Sequence, residues 1–169
     1  MRRLVSRRVH RRDPAGLPDA APPLELSDRQ RRIRLPRRAL ERVVAGALAQ
    51  RPRRAGAVSV ALVGDRAIRR LHLDHMGLDS ATDVLSFPLH GAAGGLLGEV
   101  IASADTAARE AATRGVRPQD ELLLYVAHGV LHLLGFDDHS PAERKKMRAA
   151  ERKALRAAGI TRDLFRSPR

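Results

Sequence analysis

The sequence predicts one α+β domain in which a small four-stranded sheet, mixed or mostly antiparallel, is covered by about five helices. Three observations carry this. Apolar runs of strand length, "AVSVALV" at 57–63 and "LLGEVIAS" at 96–103, are rich in branched residues that pack well on a pleated surface. Longer stretches repeat apolar residues at helical spacing and carry helix-start and helix-stop residues at their ends. The 169-residue chain is long enough for one core and too short for two ordinary domains.

Residues 1–12 are Arg-rich and aperiodic, and "DPAGLPDAAPP" after them can bury little surface. Residues 1–22 are therefore expected to form a flexible basic arm, and residues 23–169 the folded domain. "PLELSDRQRRIRL" alternates imperfectly and reads as the first strand. In "PRRALERVVAGALAQ", Pro36 suits a first helical position, and Leu40, Val43, Val44 and Leu48 share one face. The run 57–63 is a buried strand, and "GDRAIRRLHLDHM" starts a helix at Asp65 with Ile68 and Leu71 turned inward. "TDVLSFP", 82–88, is a short strand closed by Pro88; "HGAAGG" is a flexible loop; the strand 96–103 carries a bulge at Gly98. Ser103 caps the helix "ADTAAREAATRG", which Gly115 ends. In "RPQDELLLYVAHGVLHLLG", Leu122, Leu123, Val126, Val130 and Leu133 recur at helical spacing, and Gly135 sits where a terminating glycine belongs. The last helix, "SPAERKKMRAAERKALRAAG", has Ser140 as cap, Pro141 at its first position and Glu143 as the capping-box acid.

Composition narrows the chemistry. There is no cysteine, which excludes disulfides, zinc ribbons, iron–sulfur clusters and thiol catalysis; any metal must be held by His, Asp or Glu. The net charge of +13 is mostly arginine, whose planar fork pairs with phosphate, so nucleic acid is the leading partner. Phe87, Tyr125, Phe136 and Phe165 are the only aromatics and are widely spaced. A base-stacking platform is not expected, and contact with RNA should run through phosphate. The N-terminal stretch lacks the apolar run of a secretory signal, and no segment is apolar enough to span a membrane. Cytoplasm is the expected location.

The stretch that carries chemistry is "HGVLHLLGFDDH", residues 128–139. His128 and His132, four apart on the long helix, project from one face about one turn apart, a spacing that suits two ligands of one divalent ion. Gly135 then stops the helix, and a sharp turn returns Asp137, Asp138 and His139 towards the same face. Two histidines and one ligand from the turn leave a fourth position open, as in catalytic rather than structural zinc sites. The expected cofactor is one Zn2+ at the end of the central helix, with another late transition metal as the alternative. Zincin proteases carry a Glu base directly after the first His; here that position is Gly129, which argues against peptide hydrolysis.

Taken with "TDVLSFP" and "LGEV" upstream, the run 128–139 resembles the YbeY family of bacterial metal-dependent endoribonucleases, over about residues 57–155. The resemblance implies an α+β fold and a zinc held by three side chains. It also implies cleavage of single-stranded RNA in 16S rRNA 3′-end maturation and ribosome quality control. The implied partners are rRNA and the small ribosomal subunit, with no membrane and no DNA. The family's third ligand lies ten positions after the first, which here is Asp138, with His139 the alternative one step beyond. Asp137, or whichever of Asp138 and His139 does not bind, is a candidate to move a proton. Ser86 and Thr82 are candidates to position backbone or substrate, the plainer reading being structural, and Glu99 is either a partner for a ligand His or a solvated strand residue. The family often has Asn-x-x-Tyr-Arg before "TDVLSF". Aligned on it, His72, His75 and Met76 take the Asn, Tyr and Arg places. Methionine cannot pair with phosphate, so either a nearby Arg such as Arg69 or Arg70 substitutes, or cleavage is weak, or the chain acts mainly by binding the ribosome with a structural zinc.

Overall fold

The computed structural model describes residues 24–52, 56–89 and 96–165. The proposed arm at 1–22 and the glycine-rich loop at 90–95 lie outside them. The described elements follow as β1 (Leu24–Asp28), α1 (Arg37–Leu48), β2 (Ala57–Val63), α2 (Asp65–Met76), β3 (Val84–Pro88), β4 (Leu96–Ser103), α3 (Ala104–Arg114), α4 (Pro118–Leu133) and α5 (Pro141–Ala157). The strands form one sheet in the order β1-β2-β4-β3. β1 pairs with β2 and β2 with β4 in parallel, while β3 runs antiparallel along the edge of β4. The sheet is thus mixed, and the mostly antiparallel alternative is corrected. α1 returns the chain so that β2 runs parallel to β1; after β2 and α2 the chain re-enters the sheet in the opposite direction as β3, and β3 carries it back so that β4 runs parallel to β2.

Local signals fall where their chemistry requires. The Ser103 hydroxyl accepts from the Thr106 N–H at the start of α3, and Gly115 ends that helix at φ 65°. Ser140 and Glu143 complete a reciprocal capping box on α5. Pro36 differs from expectation: it is the N-cap of α1, at ψ 127°, and the helix begins at Arg37. Its fixed φ of −64° suits either position, and its lack of an N–H is harmless at both. β3 starts at Val84 rather than residue 82, because the Asp83 carboxylate accepts from the Val84 N–H and the Thr82 hydroxyl, a local turn that competes with pairing. The β2–β4 register slips between Ala57, paired with Leu96, and Val58, paired with Gly98, so the extra residue of the bulge is Leu97, one position before the Gly98 of the sequence expectation.

The two sheet faces are covered unequally. Val58, Val60, Leu62, Val100 and Ala102 face a core built with α1, α4 and α5, whereas Val63, Leu85 and Ile101 meet Ile68 of α2 on the other side. α4 is the central element, buried on nearly all sides, as its continuous apolar run allows. It lies so close to the sheet that a Cβ at Gly129 would stand 2.6 Å from Val100 Cγ1 and 3.0 Å from Ser86 Oγ. Gly129 is therefore a contact requirement, and no side chain, let alone the glutamate of a zincin, fits there. Gly129→Ala gains about 1 kcal/mol of helix propensity but meets this overpacking. We expect a net loss of about 1–2 kcal/mol by urea unfolding at unchanged m-value; equal or higher stability would contradict the close packing of α4 on β3 and β4.

Candidate metal centre

The last turn of α4 presents His128 and His132, and the chain then folds back. Gly135, at φ 81°, donates its N–H to the His132 carbonyl, and Phe136 donates to the Leu131 carbonyl. This paired C-terminal closure satisfies helix carbonyls that would otherwise be orphaned and brings residues 137–139 back beside the histidines. Arg51 stacks 4.5 Å above the Phe136 ring. Arg144 of α5 donates to the carbonyls of Asp138, at 3.0 Å, and His139, at 2.6 Å, so the returning turn is held from both ends.

The ring nitrogens are committed in a particular way. His132 Nδ1 lies 3.1 Å from the Phe136 carbonyl, which can only accept, so Nδ1 carries the hydrogen and Nε2 presents a lone pair. His128 Nδ1 lies 2.7 Å from Glu151 Oε1, a carboxylate buried in α5. The two Nε2 atoms face each other at 2.9 Å, and Asp138 brings one oxygen to 3.8 Å from His128 Nε2 and the other to 3.9 Å from His132 Nε2. Three electron-rich groups converging on one point require a proton or a cation between them. Tetrahedral zinc with ligands at ~2.0–2.1 Å separates its donors by ~3.3–3.4 Å, so sub-ångström shifts would accommodate an ion. The donor set fits a late divalent metal. Burial pushes both imidazoles towards lower pKa; the hydrogen bond and charge of Glu151 reverse this for His128, which ends above its ordinary value, while His132, also repelled by His128, stays below it.

The other predicted residues separate. His139 groups with Asp137 and Asp138 but not with the helical pair; its side chain is 87% exposed and its Nε2 is 3.6 Å from Asp137 Oδ1. Asp137 accepts the N–H of Asp138, which holds its carboxyl below the usual range. Ser86 donates to the Gly129 carbonyl and seats α4 on β3, and the Thr82 hydroxyl is engaged by Asp83. Glu99 follows the alternation of β4: Val100 meets α4, so Glu99 points to the opposite face and cannot reach a ligand histidine. That position belongs to Glu151, which the sequence reading missed. Its signal was a lone acid within the buried stripe Met147, Ala150, Ala154 and Leu155 of α5. Glu151→Ala is expected to weaken metal binding about 10–100-fold by releasing the His128 ring, read by calorimetric zinc titration, with Glu151→Gln falling between; unchanged affinity in both variants would deny Glu151 a part in orienting that ring.

The centre opens into a cleft of about 450 Å³ bounded by α3, α4, α5 and the segment after it, where Asp83, Arg114, Tyr125, Arg144, Arg148 and Phe165 stand with His128 and Asp138. No helix among the described residues is long and apolar enough to cross a membrane.

Comparison with known proteins places these features. Residues 25–159 match the family described as Endoribonuclease YbeY. Relatives bearing that name include one from an Anaeromyxobacter species, 44% identical over 139 residues, covering 81% of this chain and 72% of the relative. Another, from Anaeromyxobacter dehalogenans, is 46% identical over 114 residues, covering 66% and 59%. The solution structure of a Thermotoga maritima protein shares the fold at a TM-score of 0.56 and 24% identity, over 80% of this chain and 88% of that one. With the matched region running from β1 to just past α5, the chain belongs to the YbeY endoribonuclease family.

Proposed function

We propose that this protein is a zinc-dependent endoribonuclease that cuts single-stranded RNA in 16S rRNA 3′-end maturation and ribosome quality control, with rRNA and the small subunit as partners in the cytoplasm. The observation that carries the reading is the convergence of His128, His132 and Asp138 at the mouth of an arginine-bearing cleft. These three side chains would hold the ion, and His139 remains the alternative third ligand. A divalent ion there supplies Lewis acidity towards a phosphoryl oxygen and lowers the pKa of water towards neutrality. The chain's own residues do the rest. Glu151 fixes the orientation of His128, and the Phe136 carbonyl that of His132. Asp137, exposed beside the centre and kept ionised by the Asp138 N–H, is placed to take a proton from an entering nucleophile, with His139 its neighbour for handing that proton to solvent. Cleavage of a labelled single-stranded oligonucleotide that stops with chelator and returns with zinc is the supporting result; cleavage indifferent to chelator overturns it.

One observation favours a second reading, a ribosome-associated RNA-binding factor with a structural zinc. Met76 occupies the family's arginine position and is 54% exposed, and neither suggested substitute is free: Arg69 forms two 2.7 Å hydrogen bonds with Asp79, and Arg70 pairs with Asp74 at 3.7 Å. Both line clefts that contain no residue of the metal centre.

A further inference from the structure

The charge of this centre differs from that of a three-histidine site. A divalent ion beside three neutral imidazoles and the Glu151 carboxylate leaves one net positive charge; replacing one imidazole with the Asp138 carboxylate leaves none. An anionic phosphodiester would then gain no net Coulombic attraction from the centre itself. Met76 supplies none either. The positive charge that draws RNA into the cleft must come from side chains along its wall.

Three arginines stand there, in different states. Arg114 is committed to Glu110 at 3.9 Å and Glu121 at 3.1 Å. Arg144 bonds only backbone carbonyls of the ligand turn, so its charge meets no carboxylate partner among the described residues. Arg148 has no carboxylate partner among the described residues either; its guanidinium stands 6.0 Å from the Phe165 ring, inside the same cleft as His128 and Asp138. Four residues apart on α5, Arg144 and Arg148 lie on one face of the helix, Arg148 directly after the buried Met147 and about one turn before Glu151.

Resting on the endoribonuclease reading for the identity of its ligand, we infer that Arg148, flanked by Arg144, is the phosphate clamp of this cleft. It grips the backbone of single-stranded RNA beside the metal centre and takes the part that the arginine missing at Met76 would have played. Arg148 touches the substrate and none of the metal ligands, which separates it experimentally from Arg144, whose removal would also loosen the ligand turn.

The test is binding of a fluorescent single-stranded RNA oligonucleotide to the full chain in chelator, by anisotropy at several salt concentrations. Arg148→Ala should bind roughly 3- to 10-fold more weakly, with the slope of log K against log salt shallower by about 0.7 for one lost phosphate contact. Arg148→Glu should weaken binding further, and Arg148→Lys should restore the slope while recovering affinity only in part. Zinc affinity should stay unchanged in all three, and Arg69→Ala should bind RNA as the parent does. Parental affinity and slope in both Arg148→Ala and Arg148→Glu overturn the clamp. The outcomes also separate the two readings: a shallower slope in a protein that never cuts RNA keeps the clamp and removes the nuclease, whereas chelator-sensitive cleavage with an unmoved slope does the reverse.

Discussion

Alanine at His132 is expected to lower zinc affinity by at least about a thousandfold and to bring RNA cleavage to background, with little change in the stability of the chelated protein. The first part follows from the donor count: of three convergent groups only His128 and Asp138 remain, and two ligands do not hold zinc in competition with water. The second follows from position, since His132 lies half-buried at the helix end and donates only to the Phe136 carbonyl, which is near solvent once the ring is gone. His128→Ala should match it in metal and activity but not in stability. Its removal strips the Glu151 carboxylate, which is 4% exposed, of its one hydrogen-bond partner among the described residues, and an unpaired buried charge of this kind costs about 2–3 kcal/mol. Zinc titration with chemical unfolding of both chelated variants therefore reads the ligand set and the supporting carboxylate separately. Stoichiometric zinc binding retained in His132→Ala removes the site; equal stabilities remove the role given to Glu151.

The difference between those two histidines marks what the sequence could and could not say. Elements with a local cause came out at the expected residues: β2 and β4 from their apolar runs, α3 and α5 from capping residues whose partners lie three positions away. The histidine pair and its glycine turn were equally local, since a helix of fixed pitch dictates where residues four apart point. Glu151 acts across 23 positions, and no periodicity relates it to His128; only the packing of α5 on α4 brings the two together. The same holds for strand direction, which depends on where α1 and β3 return the chain, and for Gly129, whose reason is the nearness of β3 and β4. Of the two readings left open for Glu99, the one as partner of a ligand histidine falls for a simpler cause: a strand sends neighbouring side chains to opposite faces, and with Val100 against α4 Glu99 lies beyond its reach.

The doubled acid of "FDDH" yields the second large effect. Asp138→Ala is expected to lower zinc affinity about a hundredfold or more, whereas His139→Ala should change it less than about twofold. Both sit in a turn fixed by Gly135 at one end and Arg144 at the other, and only Asp138 has its donor atoms within 4 Å of both helical histidines. His139 reaches solvent and Asp137, and bringing its ring to the centre would require shifting the register of the turn and breaking the Arg144 bonds to two consecutive carbonyls. Hydrogen bonds to charged groups are worth up to about 1.5–3 kcal/mol each, less where exposed as here, and their loss counts against exchanging one ligand for the other. Asp138→His separates the role of the ligand from the role of its charge. It keeps three donors, so zinc affinity should persist, but it adds one positive charge to the loaded centre, and the dependence of RNA cleavage on Arg148 should then weaken. If His139→Ala, and not Asp138→Ala, released the ion, the turn would have to rearrange on binding, and the charge argument for α5 would fall with the ligand assignment, because a three-histidine centre carries its own attraction for phosphate.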